Sequence, residues 1–225
     1  MLNSGLALLT DGINFQRLMS GLLITAQIAF VSIFIGSFLG IALGVIRTSS
    51  SKAVNAVCRF YLEVFRIIPI LVWLFIVYFG VTGLLDIHLD GETVAIFVFS
   101  LWGAAEMSDL VRGALSSLPK HQIESGRALG LSFWQLYRYI LIPQAVRRML
   151  PGAVNLSTRM VKTTSLVVMI GVIDVVKVGQ QIIERSLFQM PTASFWIYAL
   201  IFLLYFLICY PLSRLSKKLE VKWQS

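Results

Sequence analysis

A chain of 225 residues in which 57% are hydrophobic and only 13% charged lies outside the range of soluble domains, where about a quarter of residues carry charge. The net charge of +8 sits in segments that flank apolar runs rather than along one stripe interleaved with aromatics, which argues against a nucleic-acid-binding protein. What remains is an all-α, polytopic membrane protein built as one domain over residues 1–225, with about five spans.

Residues 1–20 have no basic start and only a broken apolar stretch, so no cleavable signal is expected there and the first span itself directs the chain to the membrane. That span is expected at 21–46. Ser32, Gly36, Gly40 and Gly44 recur in it every four residues, a smooth face along which another helix backbone can approach closely. A second span is expected at 60–79, kinked by Pro69. A third, at 93–115, carries Glu106 and Asp109. Ionisable groups in or near a bilayer are functional candidates, although Asp109 and Arg112, three apart on one helical face, also suit a structural pair.

The loop 116–150 is polar and patterned. Leu118, Pro119 and Lys120 should open a short helix, which Gly130 closes by taking the left-handed conformation. Ser132 should then cap a second helix, with Gln135 reaching back to the Ser132 amide, and this helix should run until Pro143. The expected result is a rigid knob on the membrane surface. A fourth span, 151–173, is more polar and opens on Pro151. Asn155, Arg159, Lys162, Ser165 and Met169 follow steps of four and three, which places them on one helical face. Such a stripe should face a protein interior or a water-filled path, or pack against the Glu106 and Asp109 face. The fifth span is expected at 194–212.

Orientation follows from charge. The segments 47–66, 112–148 and 214–225 together hold fourteen Lys and Arg, whereas the other side has only Arg17, Lys177 and Arg185. The N-terminus is therefore expected outside, with the knob and the C-terminus in the cytosol. Cys58 and Cys209 both fall near cytosolic ends of spans, so neither a disulfide nor a metal site is expected. The sequence has no phosphate-cradling glycine loop, no H-E-x-x-H and no serine-nucleophile motif, hence no expected catalytic residue and no cofactor of its own. Energy must come from a partner.

Residues 124–143 read ESGRALGLSFWQLYRYILIP, which puts Glu124, Gly130, Ile140 and Pro143 at the spacing E-A-A-x3-G-x9-I-x-L-P. This loop resembles the one that marks permeases of ABC importers, with Ser125 and Gly126 in place of two alanines and Ile142 in place of leucine. Gly126 lowers helix propensity within the knob. Further stretches resemble the polar amino acid branch: FRIIPILVWLFIVYFG (65–80), SDLVRGALSSLP (108–119) and KTTSL (162–166), the last similar to K-D-T-S-L. Together these cover most of the chain, from about residue 21 to 181.

The resemblance implies a type I importer permease: two such subunits, alike or different, enclose the path in the inner membrane. Two ATPase subunits below bind ATP and Mg, and an extracytoplasmic binding protein delivers an amino acid. The residues expected to couple to the ATPase are Glu124, Ala128, Leu129 and Gly130, and those expected to line the path are Glu106, Arg159, Lys162, Thr164 and Ser165. Two departures bear on cargo. Thr163 stands where the pattern has Asp, and Glu106 where it usually has an aromatic. Glu106 could replace the lost acid as counter-charge to Lys162, or meet a substrate ammonium. Acidic, neutral and basic amino acids stay open, as do an opine or osmolyte as cargo and, from a different class, a channel-like subunit without an ATPase.

Overall fold

The computed structural model describes residues 12–186 and 190–224. Among these, helices are the only regular elements. Three are long and apolar enough to cross a membrane: α1 (Gly12–Ile46), α5 (Gly91–Ser116) and α10 (Ala193–Gln224). Counting each of two broken helix pairs as a span gives up to five.

The first broken pair lies where a continuous span was expected at 60–79. Helix α2 (Lys52–Ile67) stops, and α3 (Ile70–Phe75) starts anew, because Ile68 precedes Pro69 and takes an extended conformation, φ −76° and ψ 128°. Beyond α3 the chain widens into a π-helical turn (Ile76–Val81) and one last turn, α4 (Thr82–Leu85). The second pair follows the knob. Helices α6 (Lys120–Ala128) and α7 (Phe133–Leu136) are followed by a π-helical turn (Tyr137–Leu141) and α8 (Ile142–Thr163). A 3₁₀ stretch (Thr164–Ile170) then ends on Gly171 at φ 83°, ahead of α9 (Val175–Ser186).

Two compact units divide the described residues. One contains α1 up to Ser32, Ile70–Phe99 and Arg159–Pro211. Its core is Leu18, Val175, Val178, Ile182, Ile197 and Ile201. The Thr25 hydroxyl, fully buried, accepts the Val175 amide and donates to the Gly21 carbonyl, which fixes the start of α9 against α1. The other unit contains Ile33–Pro69, Ser100–Thr158 and the chain from Leu212 on.

In the second unit the expected small-residue face of α1 meets α5. A Cβ at Gly36 would lie 3.1 Å from the Ser100 carbonyl, at Gly40 2.5 Å from Met107 Cβ, and at Gly44 2.5 Å from Val111 Cβ. Gly40→Val should therefore lower stability by about 1–3 kcal/mol through overpacking. The midpoint of thermal unfolding in detergent reads this directly. Gly113→Ala, where a Cβ meets nothing within 4 Å, should leave that midpoint near wild type and serves as the control.

Candidate functional site

The knob forms as its sequence dictates, from short-range bonds. Pro119 precedes α6, and at the far end the Leu131 amide bonds the Gly126 carbonyl while the Gly130 amide bonds Arg127. This pairing is a Schellman closure, which requires the left-handed conformation that Gly130 takes at φ 77°. Ser132 then caps α7. Its hydroxyl accepts the Gln135 amide at 3.4 Å, and the Gln135 side chain accepts the Ser132 amide at 2.9 Å.

The second helix does not stop at Pro143. The Ile142 amide reaches Tyr137 in the π-helical turn, and this wider turn takes up the ring and the missing amide, so that the helix continues to Thr163. Pro151 likewise lies inside α8 rather than at its start. Long-range bonds the sequence did not reveal tie the knob together: Gln144 donates to Gln122 at 2.6 Å, and Arg148 donates to the Ser117 carbonyl at 2.6 Å. Beneath them Leu118, Leu136, Leu141 and Ala145 pack as a small core. Gly126 is more than a weak helix former, since a Cβ there would lie 2.5 Å from Leu136 Cδ1. The two helices approach closely because it has none.

All four residues expected to couple, Glu124, Ala128, Leu129 and Gly130, are exposed. Leu129 among them is 80% exposed, and beside it stand two aromatics that sequence reasoning passed over: Trp134, 80% exposed, and Phe133, 59%, edge-on to Trp134 at 5.8 Å. Their signal was present. Two adjacent aromatics directly after a helix cap cannot both face the same core, and while Phe133 leans on Tyr137 at 4.5 Å, Trp134 points out.

The residues expected to line a path are placed less uniformly. Arg159 and Lys162 are exposed, together with Asn155 and Met169, and Ser165 is half-buried with its hydroxyl donating to the Lys162 carbonyl at 2.9 Å. Thr164 departs from this group. It is fully buried and its hydroxyl turns back to the Val161 carbonyl at 2.7 Å, because the change from α to 3₁₀ winding after Thr163 rotates it inward.

Glu106 lies in the second unit, where Arg66 of α2 gives it a counter-charge at 3.1 Å. Asp109, one turn on, receives Arg47 and Arg66 at 3.2 Å each and Arg112 at 3.6 Å. The i,i+3 pair with Arg112 is thus real but forms the weakest edge of a larger network.

Comparison with known proteins agrees with this architecture. The profile of the family described as "Binding-protein-dependent transport system inner membrane component" matches residues 32–224. The probable glutamine ABC transporter permease protein GlnP of Bacillus subtilis (strain 168) is 32% identical over 205 residues, covering 91% of this chain and 93% of that one. The octopine transport system permease protein OccM of Rhizobium radiobacter is 34% identical over 180 residues, covering 76% and 74%. Among solved structures, one described as the crystal structure of an amino acid ABC transporter superposes with a TM-score of 0.81 at 26% identity, over 92% of this chain and 94% of that one. With a capped knob, broken apolar helices and a profile matched over most of its length, this chain belongs to the inner-membrane components of binding-protein-dependent transport systems, as an ABC transporter permease subunit rather than an enzyme.

Proposed function

We propose that this subunit, paired with a second permease, alternates access for a polar amino acid handed over by an extracytoplasmic binding protein. Two ATPase subunits hold ATP and Mg and drive the cycle from the cytosolic side. The single observation that carries this reading is the knob. A rigid, capped pair of helices presenting Glu124, Ala128, Leu129 and Gly130 beside the bare Trp134 is a surface built to seat in a groove of another protein, since exposed aromatics at a fixed geometry make the strongest contacts of an interface.

Arg159, Lys162 and Ser165 form the polar face toward the path, with Thr164 turned inward beside them; Glu106 is a path residue of the other unit, where Arg66 holds it. Two exposed cations on that face suit a carboxylate. The names of the relatives, a glutamine and an octopine permease, support an amino acid or an opine. Competition settles the choice: with the four-component transporter in proteoliposomes, unlabelled glutamine should suppress uptake of labelled glutamine and octopine should not. Uptake of labelled octopine with no uptake of labelled glutamine would move the cargo to the opines.

Orientation belongs to the same proposal. Single cysteines at Asp90 and Lys120, in a background lacking Cys58 and Cys209, should react with an impermeant reagent from opposite sides of the membrane, Asp90 from outside. Labelling of both from outside would overturn the assignment.

A further inference from the structure

Helix α2 shows three faces. Cys58, Leu62 and Phe65 are buried, while Val57, Phe60 and Ile67 are 70%, 71% and 76% exposed. Its polar face carries Arg59, Glu63 and Arg66, which with Arg47 and Asp109 line a cleft of about 300 Å³. Arg47, Arg59 and Arg66 there face Glu63 and Asp109; Glu106 also holds Arg66 at 3.1 Å and Arg112 joins Asp109 at 3.6 Å, so guanidiniums outnumber carboxylates by one. Both oxygens of Asp109 are taken, one by Arg47 and one by Arg66, and among the described residues no carboxylate lies within ion-pair distance of Arg59.

We infer that this cleft holds the phosphate of an anionic lipid headgroup. Charge and shape both favour that ligand. One unmatched guanidinium, beside two whose five donors are only partly used, suits an anion with several acceptor oxygens. A soluble anion would satisfy the charge but would leave Val57, Phe60 and Ile67, with Val45 and Ile46 at the end of α1, bare; acyl chains attached to the same phosphate cover them. A basic cleft bordered by exposed apolar side chains on a single amphipathic helix is the arrangement that reads headgroup and tail together. The site rests on the membrane placement of the family but not on which side of the membrane is cytosolic.

The test uses the full-length purified permease in mild detergent, incubated with equal amounts of phosphatidylglycerol and phosphatidylcholine, with retained lipid counted by native mass spectrometry. The wild type should prefer phosphatidylglycerol, and Arg59→Gln should lower that preference about fivefold, the share of one basic side chain at a membrane surface. Lys217→Gln, a basic position on α10 outside the cleft, should match the wild type. Among the described residues Arg59 makes no ion pair, so an unchanged unfolding midpoint in Arg59→Gln is expected and excludes a folding defect. Equal preference in Arg59→Gln and wild type would overturn the site. Displacement of the lipid by an equal concentration of glycerol 3-phosphate would overturn its lipid identity and make it a soluble-anion site. Neither measurement involves uptake, so failure here and failure of the amino acid reading are separately visible.

Discussion

Gly130→Val should separate ATP hydrolysis from uptake, and Gly130→Asn should not. A Cβ at this position meets nothing within 4 Å, so bulk is not the obstacle; the obstacle is φ 77°, which a β-branched residue adopts only at a cost of roughly 1–2 kcal/mol and asparagine adopts readily. Losing the turn breaks the Schellman closure and swings α6 relative to α7. In reconstituted transporter, solute moved per ATP hydrolysed should fall about tenfold in the valine variant, on the scale of 1.4 kcal/mol at the docking surface.

Glu124→Lys should act at the same surface by replacing an exposed acceptor with a cation. Trp134→Ala should weaken ATPase association by roughly 2 kcal/mol, about thirtyfold, the loss expected for an aromatic anchor. Binding-protein association should remain near wild type in all three, which locates the defect at the knob. Wild-type coupling in Gly130→Val and Glu124→Lys together would reduce the knob to a solvated hairpin and remove the main support for an ATP-driven importer.

Asp109→Leu should be among the most destabilising single changes in the second unit. It strips the shared partner from Arg47, Arg66 and Arg112, and Arg47, only 10% exposed, is left with the Ser108 hydroxyl at 3.2 Å. Stranding a buried charge costs roughly 3–5 kcal/mol. Arg66 and Asp109 themselves are 47% and 36% exposed, so solvent screens part of the loss and an overall cost of about 2–3 kcal/mol is expected. Arg47→Met combined with Asp109→Leu should recover much of it. Strictly additive losses in the two single variants and the double would mean that Arg47 and Asp109 do not act as a pair.

The same cycle on Glu106→Gln and Arg66→Met should show coupling, since those two meet at 3.1 Å. From the sequence, Lys162 or a substrate ammonium was the expected partner of Glu106, and Arg66 was not foreseen. A missing acid at Thr163 and a new one at Glu106 suggest compensation when read along the chain, but charge partners are chosen by the packing of α2 on α5, forty residues apart. No pattern of spacing on either helix shows which cation arrives.

What the sequence determined by itself is much of what neighbours within about one helical turn set, together with the apolar runs that hydropathy marks. The kink at Pro69, though not that it becomes a full break, the Ser132 and Gln135 cap and the glycine closure at Gly130 were legible because each depends on groups within three to five residues. The smooth face of Gly36, Gly40 and Gly44 was legible as periodicity, although not its occupant. Tertiary structure alone decided that α5 fills that face, that a widened turn carries the helix through Pro143, that Gly126 makes room for Leu136, and that Thr164 turns inward while Lys162 stays out. The first and third depend on where a second helix lies, and a helix presents the same spacing to the reader whichever neighbour it meets; the other two depend on local changes of winding that the sequence pattern does not mark.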